Sequence, residues 1–284
     1  MVDKKRTELE DMVDALQRHQ VTRRQFIARA SMLGLSLPTI AALVAACGGD
    51  DEEGAPAGEA GAPSAGGTLR EGYDLDFSRM DPINTTWYDP AFFALYEALI
   101  TLDEDQNVVP QLAESWETSP DGTTWTFKIR EGATFHSGEP LTAQSIAEVF
   151  NTIIDPDAGS PQLAQWTPVV KSEARDDQTL VITTRHPFAN LPNPVSTGYS
   201  RIVNMKTRQR LGDDYGKNEI DGSGPFTFVE WVPGDRVTVK RREDYVGSIT
   251  PFFENKGKAH LDGITWRFIQ EAANRALSIE GGEL

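Results

Sequence analysis

The chain carries a single thiol, Cys47, set in LVAACGGDDEE between an apolar run and a glycine-acid stretch. A lone cysteine can be an inert core residue, a free thiol or a site of modification. The composition from Gly48 to Glu53 cannot bury anything, which argues against a core position. Four histidines could serve as bases or ligands, but His19, His136, His186 and His260 are far apart in sequence and read as surface or turn residues. Acid pairs carry no information where 43 acidic residues face 27 basic ones. No GxSxG elbow, HExxH, Walker loop or GxGxxG after a strand is present. These residues point to no catalytic site, metal or cofactor.

The elements around Cys47 explain it better than catalysis does. Arg23 and Arg24 precede a moderately apolar segment from Ala30 to Ala46, the layout of an export leader. A membrane-spanning helix needs about 20 largely apolar residues, and Ser31, Ser36, Pro38 and Thr39 weaken this shorter run. Arg23-Arg24-Gln25-Phe26-Ile27 resembles the twin-arginine signal, which implies passage through the twin-arginine translocase. Leu43-Val44-Ala45-Ala46-Cys47 resembles a bacterial lipobox. That resemblance implies an acylated Cys47 as first residue of the mature protein, a lipid anchor, and an address on the outer face of the bacterial cytoplasmic membrane. Residues 1–46 are therefore read as the leader, with an amphipathic helix in Met1–Gln20. Residues 47–67, Gly, Ala, Pro and acid with no aromatic, predict a disordered tether whose ends lie about 25 Å apart.

A formal net charge of -16 argues against nucleic acid, whose binders present a basic stripe, and against a polybasic membrane face. One cysteine excludes an internal disulfide framework.

The folded body is expected from residue 68. Thr68 to Tyr73 reads as a strand. Asp89-Pro90 caps AFFALYEALI, expected as a buried helix, with Phe92 and Phe93 in the core. Trp116, Trp125 and Phe127 are also expected in the core. Pro120-Asp121-Gly122 turns a hairpin in which Trp125, Phe127 and Ile129 alternate with polar residues. Thr142 caps AQSIAEVFNTII, which stops before Asp155-Pro156. Further strands are expected at Leu180–Thr184, near Ile202-Val203, and at Ile264–Ile269. FTFVEW and RVTVKRR form a second hairpin with Val237 and Val239 on one face, and Glu271–Glu280 is a helix. Intermingled strands and helices predict a mixed α/β class.

Three stretches in order, YEALI, then VVPQLAESWETSPDGTTWTFKIREGATFHSGEPLTAQSIAEVF, then DGSGPFTFVEWVPGDRVTVKRREDY, closely resemble the solute-binding proteins of peptide-type ABC importers, the dipeptide, oligopeptide and nickel group. The likeness runs from about Thr68 to the end; one departure is Arg241-Arg242-Glu243-Asp244-Tyr245-Val246. It implies a periplasmic-binding-protein-like fold of two α/β lobes that close on ligand by hinge motion. By that likeness residues 68–284 are the N-terminal lobe with an inserted α+β subdomain at about 98–187, and the second lobe is missing. The resemblance implies a small-molecule or peptide ligand and an ABC permease as partners.

It further implies that two loops line the cleft. One holds Thr85, Thr86, Trp87 and Tyr88; the other holds Ser196, Thr197 and Tyr199. Their hydroxyls and flat rings suit peptide backbone. Solvent-facing polarity, with Trp87 and Tyr88 as core anchors, is the competing reading. Gly222, Ser223 and Gly224 are either a strand entry needing glycine's freedom or a place where backbone closely approaches a ligand or the lobe linkers. The functional alternatives are an exported lipoprotein enzyme, or a non-transporting surface scaffold on the same fold.

Overall fold

The computed structural model describes residues 65–284 and, upstream, only Val13, Phe26 and Ala30, each helical. The chain divides into two compact units, Met1–Gly61 and Ala62–Leu284. The second unit holds the strands and the candidate site. Among the described residues no helix is long and apolar enough to cross a membrane.

Two four-stranded sheets share one apolar core. The first has the order β1-β10-β9-β8, with β1 at Thr68–Tyr73, β8 at Phe226–Val232, β9 at Arg236–Arg241 and β10 at Gly263–Phe268. β1 lies parallel to β10, Thr68 opposite Gly263, and the other pairs are antiparallel. Val237 and Val239 are buried on one face, as the alternation of RVTVKRR requires. The second sheet has the order β4-β5-β7-β6, all antiparallel, with β4 at Ala113–Thr118, β5 at Thr124–Ile129, β6 at Val169–Asp176 and β7 at Thr179–Thr184. Trp125, Phe127 and Ile129 turn inward from β5; Trp116 is partly buried against the same core. A two-stranded ladder, β2 (Ile100–Leu102) with β3 (Val108–Pro110), precedes that sheet.

Of the helices in this unit, α1 (Ala91–Leu95) and α2 (Ala143–Ile154) matter most for the site. Helix α2 obeys its sequence. Thr142 Oγ1 accepts from the Ser145 amide at 3.4 Å and Ser145 Oγ accepts from the Thr142 amide at 3.3 Å, a reciprocal cap. Ile146, Val149, Phe150 and Ile153 are fully buried, each worth about 1.5–3 kcal/mol. α3 (Leu163–Trp166), α4 (Pro192–Ser196), α5 (Met205–Leu211) and α6 (Ala272–Glu280) complete the set.

Three expectations are corrected. AFFALYEALI is helical only to Leu95. Tyr96 is extended, with φ -134° and ψ 152°, and Ile100 already belongs to β2. Asp89 does not cap α1 with its side chain; Pro90 occupies the cap and Phe92 N–H bonds the Asp89 carbonyl at 2.9 Å. Ile202 and Val203 are buried but form no strand. Their segment is held by single bonds, Ile202 N–H to Glu97 O at 2.9 Å and Asn204 N–H to Asp221 O at 3.0 Å.

The HSGEP turn (residues 136–140) clamps the DGSGP stretch (residues 221–225). His136 N–H bonds Gly222 O at 2.8 Å, Ser137 N–H bonds Asp221 Oδ1 at 2.9 Å, and Asp221 Oδ2 accepts from Thr207 Oγ1 at 2.9 Å. The His136 ring lies inside this clamp, so of the two readings the turn holds and the surface does not. Gly222 N–H donates to Nδ1 at 3.3 Å, so the Nε2 proton faces the Gly224 carbonyl at 3.2 Å. Burial, then the charge of Arg242, pushes His136 down to about 4. The unfolded ring takes its proton near pH 6.5, so the folded state loses stability as pH falls from about 6.5 to 4. Asp89, which burial pushes up to about 6, acts in the opposite sense over much of that window. The difference between the parent and His136→Gln therefore isolates the histidine. The parent is expected to lose up to about 3 kcal/mol more than the variant between pH 7 and pH 4 in urea titrations. Parallel curves would refute the buried neutral ring.

Candidate functional site

The loop after β1 and the turn after α4 meet. In the first, Thr85 is buried: its Oγ1 bonds the Trp87 carbonyl and accepts from the Trp87 amide at 3.2 Å, and its carbonyl accepts from Gln162 Nε2 at 2.7 Å. This tight turn pushes Thr86, Trp87 and Tyr88 outward. Trp87 is 58% exposed, so neither it nor Tyr88 is a core anchor. The Tyr199 hydroxyl donates to the Thr86 carbonyl at 3.2 Å, joining the two loops. The Tyr88 ring meets Tyr199 edge-on at 4.8 Å and Phe93 edge-on at 5.7 Å between centroids. It also lies over Gly198, where a Cβ would come within 2.5 Å of the ring.

Phe93 corrects another expectation. It is 53% exposed, because the short α1 turns Phe92 inward and Phe93 outward. The result is a cluster of three rings at the surface, Tyr88 between Phe93 and Tyr199, with Trp87 exposed on the same loop as Tyr88. Three rings in edge-on contact at a surface offer flat, partly apolar area of the kind aromatic side chains use in recognition.

The other candidates lie elsewhere. The Ser196 hydroxyl turns back on Asn193 O at 3.0 Å and that of Thr197 on Pro194 O at 3.4 Å, closing α4. Gly222 and Gly224 pack against the end of α1. A Cβ on Gly222 would overlap the Leu95 carbonyl oxygen, and one on Gly224 the Ala94 carbonyl oxygen. Neither has a positive φ, so close backbone approach, not dihedral freedom, demands glycine. Gly224 N–H uses that approach to bond Leu95 O at 3.0 Å. Ser223 is buried between them, its carbonyl accepting from Arg242 Nη1 at 3.3 Å. Cys47, Arg23 and Arg24 lie outside the described residues.

Behind the aromatic face are charges that no local motif signalled. Glu97, directly after Tyr96, is buried and takes both oxygens to Arg130 Nη2, at 2.9 and 3.0 Å, and accepts from Tyr245 Oη at 2.9 Å. Arg130 also bonds the Gly247 carbonyl. Burial raises the Glu97 carboxyl above its usual range, opposed chiefly by Arg130. Arg201 is buried too, its Nη1 donating to Tyr96 O at 2.8 Å. Asp89 sits at the base of the aromatic loop, 1% exposed, with Oδ2 unpartnered. Among the described residues no group of three or more His, Cys, Asp or Glu side chains could hold a metal ion.

The comparisons agree on one group of proteins. The family model for bacterial extracellular solute-binding proteins, family 5 (middle), matches residues 107–284. The chain is similar to the glutathione-binding protein GsiB of Escherichia coli O6:K15:H31, 29% identical over 210 residues, which cover 73% of this chain and 39% of that protein. Two solved structures share the fold: the binding protein AgaA from A. tumefacien R10 in complex with agropinic acid, and the ABC transporter-associated periplasmic binding protein DppA from Helicobacter pylori in complex with the peptide STSA. AgaA has a TM-score of 0.67 and 27% identity, covering 77% of this chain and 43% of AgaA. DppA has 0.67 and 26%, covering 78% and 46%. The chain thus spans about two-fifths of the length of the curated relatives it matches.

Proposed function

The chain belongs to the bacterial extracellular solute-binding proteins of family 5, and from that membership we propose that it acts as an extracytoplasmic receptor that delivers a solute, of peptide character, to an ABC importer. The aromatic cluster of Tyr88, Phe93 and Tyr199, with exposed Trp87 on the same loop, carries this reading. It offers stacking area, with the Thr86 hydroxyl on the same exposed loop for hydrogen bonding. Relatives described as binding glutathione and the peptide STSA favour a peptide-like ligand. The proposal includes the lipid anchor at Cys47 and export under Arg23-Arg24, on the strength of the lipobox-like and twin-arginine-like motifs. It also keeps an inserted subdomain at about residues 98–187, within which the β4-β5-β7-β6 sheet lies.

The test is ligand-dependent stabilisation. At about ten times its dissociation constant a ligand adds roughly 1.4 kcal/mol, which moves the melting temperature of a domain this size by about 3–6 °C. Short peptides are expected to do this. Tyr88→Ala should remove the shift but also lower the unliganded melting temperature, since the ring packs on Tyr199, Phe93 and Gly198; Trp87→Ala, at the more exposed ring, should leave the unliganded value nearly unchanged while weakening the shift. A rise with sugars or metal complexes but not with a broad peptide library would overturn the peptide assignment.

A further inference from the structure

Buried and half-buried arginines in this fold are answered by acids, with one exception. Arg130 has Glu97, Arg208 has Asp81 at 3.0 Å, and Arg242 has Asp244 at 3.0 Å. Arg201 is 2% exposed, and among the described residues no carboxylate lies within ion-pair distance of it. Its one hydrogen bond among those residues goes to a neutral carbonyl, that of Tyr96, and its Nε is buried without a partner. Glu97, the nearest acid to influence it, is already engaged by Arg130 and Tyr245. Burial pulls the guanidinium down to about 10, which leaves it charged at neutral pH.

A buried cation without a counter-ion is costly, and the usual remedy is an opposing charge. The place of this one matters. Its Cζ lies 4.2 Å from the centroid of the Phe93 ring, and Phe93 is half exposed in the aromatic cluster. The ring is therefore the layer between the guanidinium and solvent. An aromatic face holds a cation beneath it by the ring quadrupole, but less strongly than a carboxylate would. The chain as a whole is acidic, with a net charge of -16, so an anionic solute needs a local positive group to be retained.

We propose that Arg201 is the anion-recognising residue of the ligand face: it supplies the counter-charge for a carboxylate borne by a solute that packs on Tyr88 and Tyr199, with the Phe93 ring moving aside to admit it. The inference rests on the reading of the aromatic face as the ligand surface, and it adds the ligand's charge. No bond is made or broken; the carboxylate replaces the missing acid.

The test compares two probes on the full chain: N-acetyl-Ala-Phe with a free carboxylate, and its C-terminal amide. Titrations at pH 7 are followed by thermal shift and by the NMR cross-peak of the Arg201 Nε–Hε group. The carboxylate probe is expected to bind at least tenfold more tightly than the amide and to move that cross-peak. In Arg201→Met the two probes should bind alike. Because that variant can also fail to fold, the cross-peak in the parent protein decides independently. Equal binding of both probes to the parent, a silent Nε–Hε signal, or a carboxylate preference that survives in Arg201→Met would overturn the role of Arg201 and leave the aromatic face as a ligand surface. If neither probe binds, the aromatic face is not a ligand surface and both readings fall together.

Discussion

Arg130→Met is expected to cost the fold about 3–5 kcal/mol at neutral pH. Arg130 is the centre of a buried polar cluster: it holds both oxygens of Glu97 and the carbonyl of Gly247, while Tyr245 donates to the same carboxylate. Methionine fills much of the volume but leaves the buried Glu97 without its ion-pair partner, held only by the Tyr245 hydroxyl. Glu97 already sits above its usual range through burial, even with Arg130 present. Without the arginine its folded pKa rises further. A raised folded pKa gives stability that is present below the unfolded value and lost as pH rises through the folded one. The variant's deficit should therefore be large at pH 8 and shrink towards pH 4 as Glu97 takes up a proton. Adding Glu97→Gln to Arg130→Met should recover a substantial part of the loss, because the stranded charge is gone. Urea midpoints for the parent, both single variants and the double variant at the two pH values measure all of this. A pH-independent deficit, or a double variant no better than Arg130→Met, would show that the charges are not coupled as the geometry requires.

Gly222→Ala is the second large effect. The added methyl would overlap the Leu95 carbonyl oxygen and come within 2.6 Å of the Tyr96 ring. A backbone oxygen at the end of α1 cannot yield as a surface side chain can. Tyr96 is fully buried, with its hydroxyl on the Met80 carbonyl at 2.7 Å, so the ring cannot swing away cheaply either. The strain should exceed the 1–3 kcal/mol usual for an overpacked core, reaching about 3 kcal/mol or more. It would also pull apart the bond from Gly224 N–H to Leu95 O. Chemical denaturation at constant m-value would register it as a lowered midpoint. A variant within about 0.5 kcal/mol of the parent would mean that the two segments do not pack in this way.

These two positions also show what a linear reading can reach. Local grammar is legible where a few adjacent residues decide the outcome. Pro120-Asp121-Gly122 turns the hairpin, with Gly122 at φ 69°, and Thr142 caps α2. The strand at Thr68–Tyr73 also matches its expected limits, directly after the glycines at 66 and 67, although none of its residues is buried. The end of α1 was illegible because Gly222 and Gly224, over a hundred positions later, close on it. β6 was missed for a different reason. VVKSEARD is an edge strand with few buried positions, so it lacks the apolar alternation that marks a half-buried strand. At the aromatic surface, Thr86, Trp87, Tyr88 and Tyr199 could be named from the resemblance. Phe93 could not, since in a longer helix it would have pointed inward. Glu97 and Arg201 gave no signal at all: a lone charge in an apolar stretch announces burial only once its partner, or the lack of one, is seen in space.

The parallel pairing of β1 with β10 has a consequence for biosynthesis. Glu71 and Trp266, facing positions on these strands, are 195 residues apart, and β1 has no other neighbour in its sheet. At about 5–20 residues per second a ribosome needs roughly 10–40 s between making the first strand and making its mate. Until then the opening strand of the domain has nothing to pair with and remains open to chaperones or proteases. The β4-β5-β7-β6 sheet and α2, whose members all lie between residues 113 and 184, can assemble while the ribosome is still working. The part encoded in the middle is therefore free to fold first, and the amino-terminal edge is sealed only after it.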